Sequence, residues 1–410
     1  LTGVENPNSV YQLLDWLESR GYKPDSLGKT QVKELIKTAK EPVKSVLEMR
    51  LQLSKSSVKK YTAMKQTACR DNRARGMFSF YGASRTGRWA GRNIQLQNLP
   101  QNHLEDLTEA RELVKTGSFD DVQMIYDDVP DTLSQLIRTA FIPRQGMKFI
   151  VADFSAIEAR VIAWLADEQW VLDAFANNKD LYCETASRMF GVPVEKHGIN
   201  GELRQKGKQC TLSCSYGGAK GALIAMGAID SGMKEDELQP LVIAWREANP
   251  NIVRFWHSLE QCAMKCIKEK TVTKTNRLTF SYEAGFLFIE LPSGRRLAYA
   301  KPRIGENKFG GESITYMGIN AQKKWDRLET FGGKIAENVC QAVARDLLMY
   351  SMQTLSHCFI VATVHDEIII EASKDMSLDV VCQQMARTPK WAEGLILRAD
   401  GYECEYYKKD

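Results

Sequence analysis

The sequence predicts an α+β protein, and three observations carry that expectation. Segments with helical and strand-like spacing follow one another irregularly, not as a repeated strand–helix unit. A short apolar run, Met147 to Asp153, reads as a buried strand ending in an acid. A second apolar run, Cys358 to Glu371, reads as two strands meeting at His365-Asp366.

Taken in order, residues 9–20 have helical spacing with Gly21 as a stop. Residues 31–70 read as two helices, the second running through Leu47, Leu51 and Val58 with lysines beside it. The stretch Tyr81 to Arg92 is rich in glycine and arginine, so its backbone is able to approach a phosphate chain closely. After the strand at 147–153, a helix is expected from about Ala156 to Phe175, with Ile157, Val161, Ile162, Trp164 and Leu165 on its apolar side. Residues 181–265 read as helical with interruptions, and 271–301 as strands, with a turn at Pro292-Ser293-Gly294. A further helix covers about Lys334 to Leu355. No internal repeat or low-complexity tract is present.

The 410 residues suffice for two or three domains. With 44% apolar and 26% charged residues the balance is that of a soluble globular chain. No apolar run reaches the roughly 20 residues of a bilayer span, and no secretory signal opens the chain. It starts at Leu1 rather than Met, as a piece of something longer would. Ten cysteines without a Cys-x-x-Cys pair predict a reduced, intracellular protein, with Cys210 and Cys214 as small buried side chains. The five histidines lack zinc-ligand spacing. Net charge is +4 but uneven: Lys44 to Arg92 holds twelve Lys/Arg against Glu48 and Asp71, a net of +10, which leaves −6 for the rest. Such a basic arm fits a polyanion, although a solvated helix face produces the same count.

Asp153 and Asp366 each end an apolar strand, and Glu367 follows directly. A carboxylate there is costly unless it is paired or bound to a cation. Carboxylates at neighbouring strand ends suit Mg²⁺, a hard ion that keeps room for water and phosphate. The competing reading makes Asp153 a helix cap and His365-Asp366 a tight turn. Arg204, Lys208, Leu212 and Tyr216 recur every fourth residue. Each step rises roughly 6 Å along a helix, a spacing that matches successive phosphates, though an ordinary amphipathic helix has the same pattern. Ser155-Ala-Ile-Glu158 has the form of a capping box. Glu158 beside a nucleotide sugar is the functional alternative, and both roles are compatible.

Three strings together are far more specific. Asp153-Phe-Ser-Ala-Ile-Glu158-Ala-Arg160 resembles motif A of family A DNA polymerases, Arg204-x-x-x-Lys208-x-x-x-Leu212-x-x-x-Tyr216-Gly217 resembles motif B, and Val364-His365-Asp366-Glu367 resembles motif C. Thr86-Gly87-Arg88 and Gln97-Asn98-Leu99-Pro100 resemble the segment before motif A, and Gln341 fits a primer-template contact. The resemblance covers essentially the whole chain and implies a right-hand fold, with a thumb at 1–75, a palm with an antiparallel sheet at 76–175 and 333–410, and fingers at 176–332.

It further implies a template-directed DNA polymerase that extends a primer with dNTPs. Asp153 and Asp366, with Glu367 nearby, would hold two Mg²⁺ ions, and Lys208 would act on the leaving group. Arg204 and Lys208 would grip the triphosphate, with Tyr182, Leu212 and Tyr216 around the nucleotide and Glu158 restricting the ribose 2′ position. DNA contacts would come from Arg50, Lys55, Lys59, Lys60, Arg88, Gln97, Asn98, Gln341 and His365. The chain departs from the family pattern at Leu212, where an aromatic residue is usual, at Tyr182, where histidine is common, and at Ala156, where a longer polar residue is common. These departures point to a phage or prophage branch.

Two rivals remain: a single-subunit RNA polymerase, which Glu158 opposes, and an inactive DNA-binding replisome protein, which the joint presence of Asp153, Asp366, Arg204 and Lys208 opposes. The remaining expectations are a monomer without membrane association, in the cytoplasm of a bacterium or a phage-infected cell. Only 152 residues precede Asp153, without a second carboxylate cluster, so no 3′–5′ exonuclease is expected.

Overall fold

The computed structural model describes residues 1–7, 9–53, 59–307 and 310–409. The chain divides into two compact units. One comprises Leu1–Phe78, Gly91–Pro143 and Cys404–Asp410, and the other Ser79–Ala90 and Arg144–Glu403.

The first unit is helical. Ser9 caps the helix Val10–Ser19 by accepting from the Gln12 amide, and Gly21 follows with φ +85°. Among the described residues, 31–70 holds the helical segments Lys29–Thr38, Val43–Leu53 and Lys59–Thr67, and Val58, expected on the second helix, lies outside the described residues. Pro42 explains the first break, because its ring and missing N–H do not allow a helix to continue through it. Leu13, Trp16, Leu17, Val32, Val43, Val46 and Leu47 form one buried core. The helices Leu107–Lys115, Phe119–Tyr126 and Val129–Leu136 follow. Arg138 is buried, and its guanidinium donates to the Pro100 carbonyl at 2.7 Å and to the Tyr407 hydroxyl at 3.1 Å.

The second unit is built on a four-stranded sheet in the order Phe359–Val364, Glu367–Ser373, Met147–Phe154, Ala399–Cys404. The two central strands are apolar because both faces are covered, and Ile150, Ala152, Phe154, Ile368, Ile370 and Ala372 all enter the main core. The helix expected over 156–175 is two helices, Ile157–Ala166 and Gln169–Ala176. The break falls at Asp167, whose φ is +55°. Next to it the buried Glu168 accepts from the Asn251 and Ile252 amides at 2.8 and 3.2 Å, holding the start of the helix Pro250–Glu269. The strands expected over 271–301 extend further, into a six-stranded antiparallel meander from Thr273 to Thr330. The helix Gly332–Thr354 crosses the core. A Cβ at Gly333 would lie 2.2 Å from the Tyr216 carbonyl oxygen, so only glycine permits this approach.

Candidate active site

The acids are positioned by strand register. Glu367 and Asp153 are direct partners across the antiparallel pair of central strands. Directly opposed residues project to the same face with Cβ atoms roughly 4.5–5.5 Å apart. His365 and Asp366 form the two-residue connection to the neighbouring strand, with His365 exposed and left-handed at φ +57°. The Asp366 carbonyl accepts from the Phe154 amide at 3.4 Å, tying the hairpin tip to the end of the Asp153 strand. Asp153 is exposed and Glu367 buried.

A chain of polar contacts runs from this point. Arg88 donates to Asp366 at 3.3 Å and to Glu158 at 3.5 Å. The other Glu158 oxygen accepts from the Tyr216 hydroxyl at 3.0 Å. Burial pushes the Glu158 carboxyl above its ordinary value, against the lowering effects of Tyr216 and Arg88. Burial, and then the nearby Cys340 and Glu158, raise the Tyr216 hydroxyl well above the usual tyrosine range. The expected capping box does not form: the N-cap of the helix Ile157–Ala166 is Ala156, without a side-chain cap bond. Ala156 is left-handed at φ +50°, which places the Ser155 side chain outside the cap position and leaves Glu158 turned to Arg88 and Tyr216.

The helix carrying the fourfold repeat spans Leu203–Cys214, so Tyr216 lies just past its end. Arg204 pairs with Asp180 at 2.8 Å, and its guanidinium lies 5.3 Å from the Tyr182 ring centroid. Asp180 also caps the helix Leu181–Phe190 by accepting from the Tyr182 and Cys183 amides at 2.9 and 3.1 Å. Lys208 is half-buried and Leu212 is 48% exposed. Cys210 and Cys214 are buried, as expected.

The basic stretch from Lys44 to Arg92 is divided between the two units. In the second unit, Arg85 lies 4.2 and 4.4 Å from the Tyr299 and Tyr316 ring centroids, and Arg88 lies on the carboxylates. In the first unit, Arg75 pairs with Asp71 at 2.6 Å. Lys59 is exposed, while Arg50 and Lys60 are half-buried. Gln97 and Asn98 lie in the short 3-10 turn Leu96–Asn98 of the same unit. Lys55 lies outside the described residues. Gln341 lies half-buried in the helix Gly332–Thr354.

Sequence reasoning missed Asp180 as the partner of Arg204, and it missed Arg295, Arg345 and Asp346 behind Arg88. The available signal for the latter was an Arg-Asp pair inside the otherwise apolar run from Ala342 to Leu348.

The donor set suits a hard cation that keeps water and phosphate ligands. Among the described residues, no group of three or more His, Cys, Asp and Glu is placed to hold a metal ion by itself. Mg²⁺ is typically held by one or two carboxylates and substrate oxygens. In this structure the Asp366 carboxylate is paired with Arg88.

Direct comparison with known proteins says which family carries such a sheet. The family model described as DNA polymerase family A matches residues 4–393, and the chain belongs to that family. It is 51% identical to a DNA polymerase of Bacillus phage SP02 over 416 residues, covering 100% of this chain and 64% of the phage protein. It is 27% identical to the thermostable DNA polymerase I of Thermus aquaticus over 251 residues, covering 59% of this chain and 25% of that protein. Among solved structures, the polymerase domain of Pol1 from M. smegmatis, in complex with DNA primer-template and dNTP, superposes with a TM-score of 0.63 at 18% identity. That match covers 98% of this chain and 61% of the other, and it shows the shared fold.

Proposed function

We propose that this chain is a template-directed DNA polymerase that extends a primer with dNTPs and releases pyrophosphate. The observation that carries the reading is the register that sets Asp153 opposite Glu367 with Asp366 at the adjoining tip. Membership of DNA polymerase family A and the 51% identity to a phage DNA polymerase support it.

Asp153 and Asp366 would hold two Mg²⁺ ions, with Glu367 supporting them. When bound, the ions lower the pKa of the primer 3′-OH and offset charge on the triphosphate and leaving pyrophosphate. Arg204 and Lys208 bind the triphosphate from the helix Leu203–Cys214, and Lys208 is the proton donor to the leaving group. Arg204 exchanges Asp180 for phosphate, which Tyr182 accompanies as a stacking face. Glu158 and Tyr216 close the ribose 2′ side, and Leu212 lines the nucleotide site. Arg88 and Gln341 contact the primer end, and His365 lies beside it. Arg50, Lys55, Lys59, Lys60, Gln97 and Asn98 bind the duplex, mainly through phosphates.

In this reading, residues 1–75 are the thumb, 76–175 with 333–410 the palm, and 176–332 the fingers. The protein works as a monomer on primer-template DNA in the cytoplasm. Among the described residues no helix is long and apolar enough to cross a membrane. Primer extension with dNTPs, with rNTPs and without divalent metal tests the proposal. Metal-dependent extension with dNTPs is expected, whereas preference for rNTPs or binding without extension would overturn it.

A further inference from the structure

We propose that Arg345, held by Asp346, is a positioning residue that sets Arg88 at the primer end. The inference rests on the proposed primer contact of Arg88 and deepens it.

The peptide plane between Gly87 and Arg88 is held at both ends. Arg345 Nε donates to the Gly87 carbonyl at 3.0 Å, and the Arg88 amide donates to the buried Thr86 hydroxyl at 3.4 Å. Because the peptide group is planar, fixing its two polar atoms fixes the N–Cα bond of Arg88, and the Arg88 carbonyl, accepting from the Ala83 amide at 3.0 Å, fixes the other side of the residue. Gly87 has φ +77°, and a Cβ there would lie 2.6 Å from the Tyr81 ring and 2.7 Å from Arg295 Nη1, so the turn is closely filled.

Arg345 is itself constrained. Its guanidinium lies 4.8 Å from the Trp89 ring centroid and 5.2 Å from that of Phe80. It donates to Asp346 at 3.2 Å. Asp346 also accepts from Arg295 Nε at 2.8 Å and from the Ser293 hydroxyl at 2.6 Å. Arg295 in turn donates to the Tyr81 hydroxyl at 3.1 Å and to the Ala342 carbonyl at 2.9 Å. One buried carboxylate thus orients two guanidiniums. One of them holds the residue before Arg88, and the other holds the residue after Gln341. A buried ionic network is weak evidence for stability, because desolvation offsets much of the attraction. Its geometry is better explained by what it aims, and both residues that it reaches adjoin a proposed primer-end contact.

The test is a double-mutant cycle on the full chain, read as single-turnover extension of a matched primer-template. Arg345→Lys keeps the charge but loses the Nε donor and the planar stack; Arg345→Met removes the charge as well. Each is combined with Arg88→Ala. With Arg88 present, either change should lower the maximal extension rate about tenfold, a typical coupling for groups in one network, with dNTP affinity unchanged. In the Arg88→Ala background the same change should cost less than about twofold, because its target is gone. If Arg345→Met does not fold, Arg345→Lys, checked by its melting temperature, carries the test alone. Equal losses in both backgrounds, or no loss in either, overturn the inference while leaving Arg88 as a primer contact. If Arg88→Ala extends at the wild-type rate, the primer-end reading itself fails and this inference falls with it.

Discussion

The carboxylate centre of the second unit and the lysine-rich helices of the first invite opposite experiments. At the centre, Asp153 and Glu367 are fixed by strand pairing, Asp366 sits on the turn between two paired strands, and Glu158 is held between Arg88 and Tyr216. In the helices, Lys59 is exposed and belongs to a region whose net charge, rather than any one contact, is the notable property. The centre is a geometry, and the helices are a charge density. Geometry is lost with a single atom group, whereas charge density is lost in proportion.

The largest effect should follow from removing a strand-end acid. Asp153→Ala or Asp366→Ala is expected to lower single-turnover extension by about a thousandfold or more while duplex binding persists. A variant with near-normal extension in Mg²⁺ would remove that acid from the reaction.

Glu158→Ala sharpens the comparison within the centre. Opening the 2′ side should reduce discrimination between dNTPs and rNTPs by about 10- to 100-fold, measured as a ratio of kcat/KM values. The loss of the Tyr216 contact should also cost about 0.5–1.5 kcal/mol of stability. Unchanged discrimination with reduced stability would leave Glu158 a purely structural bridge.

Glu168 is the control. It is a buried carboxylate whose described contacts are the two backbone amides of Asn251 and Ile252. Glu168→Ala should cost about 1–3 kcal/mol by leaving those donors unsatisfied. Denaturant unfolding should register the loss, with little change in extension at a temperature where the variant is folded. Selective loss of extension in a stable variant would refute the structural assignment.

The smallest effect belongs to the lysines. Lys59→Ala with Lys60→Ala should weaken primer-template binding and flatten its salt dependence by up to about 0.9 log units per lost phosphate contact. Maximal extension at saturating DNA should hardly change. An unaltered salt slope would return both lysines to the solvated face of the helix.

These two regions also differ in how far they were legible in sequence. The strand-end acids were legible because an apolar run ending in Asp is rare and costly, and the turn at His365-Asp366 appeared where expected. Local breaks were harder to place. The break in the helical region after Asp153 depends on Asp167 adopting a left-handed conformation beside Glu168, whose partners lie more than eighty residues away in sequence. The capping box failed because a local motif competes with tertiary partners, and Arg88 and Tyr216 hold Glu158 elsewhere. The basic stretch was visible as a count, but not its division between two units or the aromatic faces that engage Arg85. Asp180 was invisible as a partner because the contact spans 24 residues and two helices.

The pairing of Glu367 with Asp153 also bears on length variation. Side chains alternate between the faces of a strand, so a one-residue slip would move Asp153 to the face opposite Glu367. A single inserted or deleted residue inside 148–152 or 368–372 should therefore be far more damaging than a longer insertion in the turn at 292–294 or the loop at 320–324. Extra residues at the 292–294 and 320–324 tips should leave this pairing untouched, while the spacing within the two short strands is held to the residue.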